Sequence, residues 1–165
     1  MKCRIGNGFD VHRYCPGNGL WLGGCFIEAD YSLKGHSDAD VLLHALADAL
    51  FGALGEPDIG FHFPDTDAKN AGRASSEFIE FALEKVRARK FAIANIDITL
   101  IGEKPKVSVH REGIVKSLAA MLSIDTGCVG LKATTTEGLG FTGRGEGLAA
   151  QAVVLLSWSG AVDSP

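Results

Sequence analysis

A single α+β domain, with a four-stranded mixed sheet and helices packed on one of its faces, is predicted by three features of the sequence. Three segments repeat apolar residues at helical spacing, and four others alternate or stay apolar as strands do. The last strand, Leu148 to Trp158, is apolar on both sides and needs cover on both. Helices supply one cover, and a neighbouring subunit is the simplest source of the other. A length of 165 residues suffices for one core and is short for two.

Composition narrows the partners. A formal net charge of −4 and the lack of any basic run argue against a nucleic-acid backbone. An anionic ligand would need positive charge concentrated locally, for example as metal ions. Met1 to Asp10 lacks the apolar stretch of a signal peptide, and no apolar run approaches the roughly 20 residues of a spanning helix. A soluble, cytoplasmic chain with no membrane partner is expected. Cys3, Cys15, Cys25 and Cys128 show no C-x-x-C spacing and are expected as reduced thiols. The 21 glycines fall singly, in places that suit tight turns and close backbone approach.

Arg4 to Arg13 alternates as a strand, which puts Asp10 and His12 on one face. Leu20 to Glu28 is expected as a short strand pair turned at Gly23-Gly24. Gly35 to Leu54 is the organising helix, with Val41, Leu42, Ala45, Leu46, Ala49, Leu50, Ala53 and Leu54 as its buried stripe. Asp40, His44 and Asp48 share another face, an imidazole bracketed by two carboxylates. Ser37 is expected to cap the helix with Asp40 in its first turn. With His36 beside them, free N–H groups there would suit a phosphate. Asp10, His12 and His44 together make a three-ligand set with a fourth position open, as catalytic zinc is usually held. The alternative for His44 is an ordinary polar surface residue.

Glu56 to Asp67 follows, where Pro57, Gly60 and Pro64 argue against regular structure. Asp58, His62, Asp65 and Asp67 supply polar groups, and Ile59, Phe61 and Phe63 would tie this loop down as a wall of a site. Ser75 to Lys90 is a helix with a capping serine in front and basic residues in its last turn. Ala94 to Ile101 is a strand, Gly102 to Ser108 a proline-interrupted connection, and Arg111 to Leu122 a third helix. In Leu131 to Gly147, three threonines suit a strand end. The glycines beyond them would let backbone N–H groups approach a ligand closely. With Arg144 and Glu137, these groups suit phosphate and metal, although a glycine-rich turn alone would look the same.

The motifs G-F-D-V-H at Gly8 to His12, G-H-S-D-A-D-V at Gly35 to Val41, F-P-D-T-D at Phe63 to Asp67 and K-A-T-T-T-E at Lys132 to Glu137 resemble those of the 2-C-methyl-D-erythritol 2,4-cyclodiphosphate synthase family of non-mevalonate isoprenoid biosynthesis. G-F-T-G-R-G-E-G at Gly140 to Gly147 extends the likeness over nearly the whole chain. The resemblance implies a homotrimer with the free sheet face at the trimer interface and active sites between subunits. It implies a phosphorus-oxygen lyase that closes the 2-phosphate of 4-diphosphocytidyl-2-C-methyl-D-erythritol 2-phosphate onto its β-phosphorus and releases CMP. By the same resemblance Asp10, His12 and His44 bind one Zn2+ per subunit, and His36 and Thr135 stabilise the transition state. Glu137 holds a second divalent ion, Mg2+ or Mn2+. Substrate contacts fall on Ser37, on Asp58, Ile59 and Gly60, and on Phe63, Pro64, Asp65, Thr66 and Asp67. The cytosine would be held by Gly102, Glu103, Lys104, Pro105, Lys106, Val107 and Ser108, and further contacts fall on Thr134, Thr136, Phe141 and Arg144. One departure is A-G-R-A-S at Ala71 to Ser75, where the family usually reads K-G-A-D-S, so lysine or aspartate contacts there are lost. The competing reading of the metal set is a zinc phosphohydrolase, whose metal-bound water attacks phosphorus.

Overall fold

In chain order the computed structural model, which describes residues 2–160, contains β1 (Cys3–Cys15), β2 (Gly19–Leu22), β3 (Cys25–Glu28), β4 (Ser32–Lys34), α1 (Val41–Leu54), α2 (Ile59–His62), α3 (Ser75–Ala88), β5 (Phe91–Ile101), α4 (Val107–Leu122), β6 (Val129–Thr134), α5 (Gly140–Gly143) and β7 (Gly147–Trp158). The main sheet has five strands in the order β4-β1-β7-β5-β6, one more than expected. The extra strand is β4, whose three residues pair with Arg13, Tyr14 and Cys15 and are too few to show alternation. All pairings are antiparallel except β5 with β6, so the sheet is mixed as expected. β2 and β3 form a separate hairpin, turned at Gly23 and Gly24, where φ values of 60° and 77° need glycine.

Register explains the two faces. Gly8, Ala152, Ile98 and Leu131 lie side by side across β1, β7, β5 and β6, and the latter three are buried against the helices. The next row, Phe9, Gln151, Thr99 and Lys132, turns the other way. On that second face Ile5 is 69% and Phe9 54% exposed, and Val11 and Val153 are exposed beside them. The β1 and β7 end of this face is therefore apolar, whereas Asn95, Asp97 and Thr99 make it polar toward β5.

α1 is buried nearly all round, with eleven of its fourteen residues inaccessible, and is not the one-striped helix expected. β1 and β7 lie along one side and α3 along another. Leu43, Ala47 and Phe51 fill a side that lies outside the expected apolar stripe. Each buried Leu or Phe here contributes about 1.5–3 kcal/mol. Asp40, not Ser37, caps the helix: its extended backbone lets the side chain accept from the N–H groups of Leu42 and Leu43. Gly55 closes the other end with φ 69°.

Three further bounds differ from expectation. α2 makes one helical turn inside the segment expected to be irregular, because Asp58 caps it by accepting from the N–H of Phe61. α3 has Ala74 at its cap position with no side-chain bond, so Ser75 is already the first helical residue. α4 begins at Val107, four residues before Arg111, with the buried Val107 as its first inward anchor. Among the described residues no helix is long and apolar enough to cross a membrane, and all four cysteines are free thiols.

Candidate active site

The side of β1 that faces α1 carries Gly6, Gly8, Asp10 and His12 in alternation. Gly6 lies against the backbone of Ala49 and Ala53, and Gly8 against that of Ala45 and Ala49. Two strand residues advance about 6.6 Å and four helix residues about 6 Å, so the steps match. The next step brings His44 of α1 to Asp10 and His12. Asp10 Oδ2 stands 3.0 Å from His12 Nε2 and 3.2 Å from His44 Nδ1, and the two nitrogens are 3.1 Å apart.

Hydrogen bonds fix the tautomers. His12 Nδ1 is 2.9 Å from the carbonyl oxygen of Lys34, which can only accept, so Nδ1 carries the proton and Nε2 a lone pair. The hydroxyl of Ser75 donates to Asp38 Oδ1, which leaves its oxygen to accept from His44 Nε2–H at 2.9 Å. Ser37 Oγ also lies 2.9 Å from that nitrogen and accepts from the N–H of Ala39. His44 Nδ1 is thereby a lone pair too. Three acceptor atoms converge with no donor among them, and the buried Asp10 Oδ2 has no hydrogen-bond partner. The cluster fits a metal ion by ligand type, spacing and orientation. Burial would raise the Asp10 carboxyl, but the His12 and His44 imidazoles beside it hold it well below the usual carboxylate range. Burial would lower His12, and Asp10 and the Lys34 carbonyl raise it above the ordinary histidine value.

The carboxylates expected to bracket His44 do other work. Asp40 is fully buried and accepts from the N–H groups of Gly23 at 2.9 Å and Gly24 at 2.7 Å as well as from α1, which ties the β2–β3 turn to the helix start. Asp48 accepts from the N–H of Ile59 at 2.8 Å and so holds α2 in place. Burial raises the Asp48 carboxyl, the Ile59 bond opposes this, and the charges of Asp58 and Asp10 add to the rise.

A cavity of about 480 Å³ opens on the metal cluster and brings together His36, Ser37, Ile59, Gly60, Phe63 and Asp65 of the expected set, with Lys34, Gly35, Asn70 and Phe78 in addition. His36 Nε2 lies 3.9 Å from Asp65 Oδ2, both exposed. Asp58 caps α2, Asp67 accepts from the N–H of Lys69 in a 3-10 turn at Ala68–Asn70, and the Pro64 carbonyl accepts from Asn70 Nδ2, so these three frame the wall. Thr66 lies in the same segment. A second cavity of about 450 Å³ gathers Gly102, Glu103, Pro105, Lys106, Val107, Ser108, Thr134 and Thr135, with Arg111, Leu131, Lys132 and Ala133. Lys104 does not line it. Glu137, at φ 52°, accepts from the Thr135 hydroxyl at 3.1 Å. The Thr136 hydroxyl bonds the Leu139 carbonyl and Thr142 within the turn before α5, and Arg144 pairs with Glu146 at 2.7 Å. Phe141 lies on α5 and lines neither cavity. One chain thus holds the metal cluster and the threonine run in two separate cavities.

Fold and donor set define the class: an α+β enzyme domain with a candidate metal centre at the wall of a cavity. A sequence model of the YgbB family matches residues 3–157. The chain belongs to the YgbB family. It is 54% identical over 153 residues to the 2-C-methyl-D-erythritol 2,4-cyclodiphosphate synthase of Aromatoleum aromaticum, covering 93% of each chain. It is 56% identical over 151 residues to the bifunctional enzyme IspD/IspF of Caulobacter vibrioides, covering 92% of this chain and 40% of that protein. The chain therefore spans about 40% of the length of such bifunctional relatives. A solved 2C-methyl-D-erythritol-2,4-cyclodiphosphate synthase in a CDP-bound form is 38% identical with a TM-score of 0.86, over 93% of this chain and 100% of that one.

Proposed function

We propose that this chain, as one synthase domain over residues 1–165, converts 4-diphosphocytidyl-2-C-methyl-D-erythritol 2-phosphate to 2-C-methyl-D-erythritol 2,4-cyclodiphosphate with release of CMP. The observation that carries this reading is the triangle of donor-free acceptors made by Asp10, His12 and His44 at the cavity wall. Its occupant is Zn2+, which when bound supplies Lewis-acid polarisation of a phosphate oxygen. A phosphate oxygen of the substrate attacks the β-phosphorus, and the bond from that phosphorus to the bridging oxygen breaks, so the bridging oxygen leaves with CMP. No protein nucleophile takes part; the work is positioning and neutralising charge. His36 and Ser37 at the cavity mouth donate to phosphate oxygens, and Thr135 does so from the nucleotide side. Ile59 and Gly60, held by Asp48, orient the erythritol end, and Phe63 and Phe78 exclude water. Glu137 offers an exposed carboxylate to Mg2+ or Mn2+.

The separation of metal cluster and threonine run into two cavities supports active sites built between subunits. The exposed apolar face of Ile5, Phe9, Val11 and Val153 supports a homotrimer whose contacts cover it. The protein works in the cytoplasm. Mass spectrometry of the reaction in oxygen-18 water tests this function: equimolar CMP and a label-free cyclic diphosphate are expected. Label in the product would instead make the chain a phosphohydrolase.

A further inference from the structure

We propose that Tyr14 and Tyr31 form a clamp behind the Gly102–Lys106 turn that pre-orders it for cytidine nucleotides. The proposal rests on the nucleotide reading of the second cavity. Tyr14 ends the helix-facing side of β1, two residues beyond His12, and its hydroxyl donates to the carbonyl oxygen of Lys104. The Lys104 ammonium lies 3.8 Å from the centre of the Tyr31 ring and 5.1 Å from that of Tyr14. The two rings pack edge to face with centres 5.3 Å apart. Gly102 belongs to the same contact: a Cβ there would sit 3.5 Å from the Tyr14 hydroxyl oxygen and 2.6 Å from Leu148.

The neighbours of Lys104 show what the clamp is for. Glu103 and Pro105 line the cavity, whereas Lys104 between them does not. Its backbone is held by one tyrosine and its side chain by both, so the turn is gripped from the side away from the cavity. A connection of this kind carries Gly102 and Pro105 outside any strand or helix. Left free, it would have to lose backbone freedom each time a nucleotide bound, which weakens binding. A hydrogen bond to the middle carbonyl and an ammonium seated on an aromatic face remove that freedom beforehand. Tyr14 and Tyr31 are thus positioning residues, acting on the nucleotide through the turn and touching neither phosphate nor metal cluster.

Calorimetric titration of the 165-residue chain with CDP tests the clamp through three variants. Tyr14→Phe removes only the hydroxyl, Tyr31→Leu removes the ring under Lys104, and Tyr31→Phe keeps it. The expected result is a Kd for CDP about three- to tenfold higher in Tyr14→Phe and Tyr31→Leu, the range a single hydrogen bond spans. Tyr31→Phe should bind as the wild type does. In turnover the first two should raise KM and keep kcat within about twofold, with zinc content and thermal midpoint unchanged. If Tyr14→Phe and Tyr31→Leu bind CDP within twofold of wild type, or Tyr31→Phe weakens binding as much as Tyr31→Leu, the clamp is overturned. Should Tyr14→Phe lose folded structure, Tyr31→Leu against Tyr31→Phe decides. Failure of the wild type itself to bind CDP overturns the nucleotide reading instead.

Discussion

Gly8 on β1 lies so close to Ala45 on α1 that a Cβ built on it would stand 2.0 Å from the Ala45 carbonyl oxygen. Backbone touches backbone there, and this contact sets the height at which His44, the residue before Ala45, meets Asp10 and His12. Gly8→Ala should therefore do two things at once. Overpacking should lower stability by about 1–3 kcal/mol, and the displaced helix should weaken zinc binding. Chemical denaturation and a chelator-competition titration measure the two effects. A variant that loses stability while binding zinc as tightly as wild type would show that α1 does not set the cluster.

Ser75→Ala should weaken zinc binding about 10- to 100-fold, the usual effect of losing a partner that orients a metal-bound histidine. The substitution removes the oxygen that accepts from His44 Nε2–H and frees the ring to turn. His44 Nε2 keeps Ser37, so the loss should be graded and not complete. Unchanged zinc affinity would mean that Ser37 alone fixes the tautomer.

Asp48→Asn tests a buried charge. The folded Asp48 carboxyl is raised above its ordinary value, so its protonated form is the favoured one in the native state. For an acid shifted upward, the stabilising contribution is present below the unfolded pKa and is lost as pH rises through the folded one. At pH 7 the carboxylate therefore works against the fold, while an asparagine oxygen can still accept from the Ile59 N–H. The variant should be as stable as wild type or more so at pH 7. That advantage should shrink as pH falls through the carboxylate range, read from urea midpoints across pH. A gap that widens on acidification contradicts the sign of the shift.

The two cavities make a prediction about mixing. His44→Ala damages the metal half and Thr135→Ala the other half, so each should be inactive alone. After dissociation and reassembly together, roughly one site in four should join two intact halves by the combinatorics of a closed ring. Activity should return to that fraction. Verified subunit exchange without recovery would place the whole site within one chain.

The donor set was legible because D-x-H fixes a face on a strand and β1 is a strand of the expected kind. Asp40 misled because its spacing of four from His44 assumes that both residues are helical. Its extended backbone puts it outside the helix, where that geometry does not apply. The support of His44 was hidden for another reason. Ser75 and Asp38 are 37 residues apart, and a serine opening a helix reads as its cap. Here Asp38 accepts from the Ser75 N–H and takes over that task, which frees the hydroxyl for His44. β4 was missed as too short to alternate, and α2 because Asp58 caps a single turn between two prolines. The polar side assigned to α1 was an error of emphasis, since Leu43, Ala47 and Phe51 repeat at intervals of four.

A strand offers only two directions, and β1 commits both. Its even positions give α1 two bare glycines, then Asp10, His12 and Tyr14; its odd positions give the opposite face Ile5, Phe9 and Val11. One added or deleted residue between Gly8 and His12 would exchange the two sets beyond that point, turning ligands outward and bulky side chains toward the helix. Length changes here are therefore governed by parity: single-residue insertions should be barred from this stretch even where any one of its substitutions is tolerated.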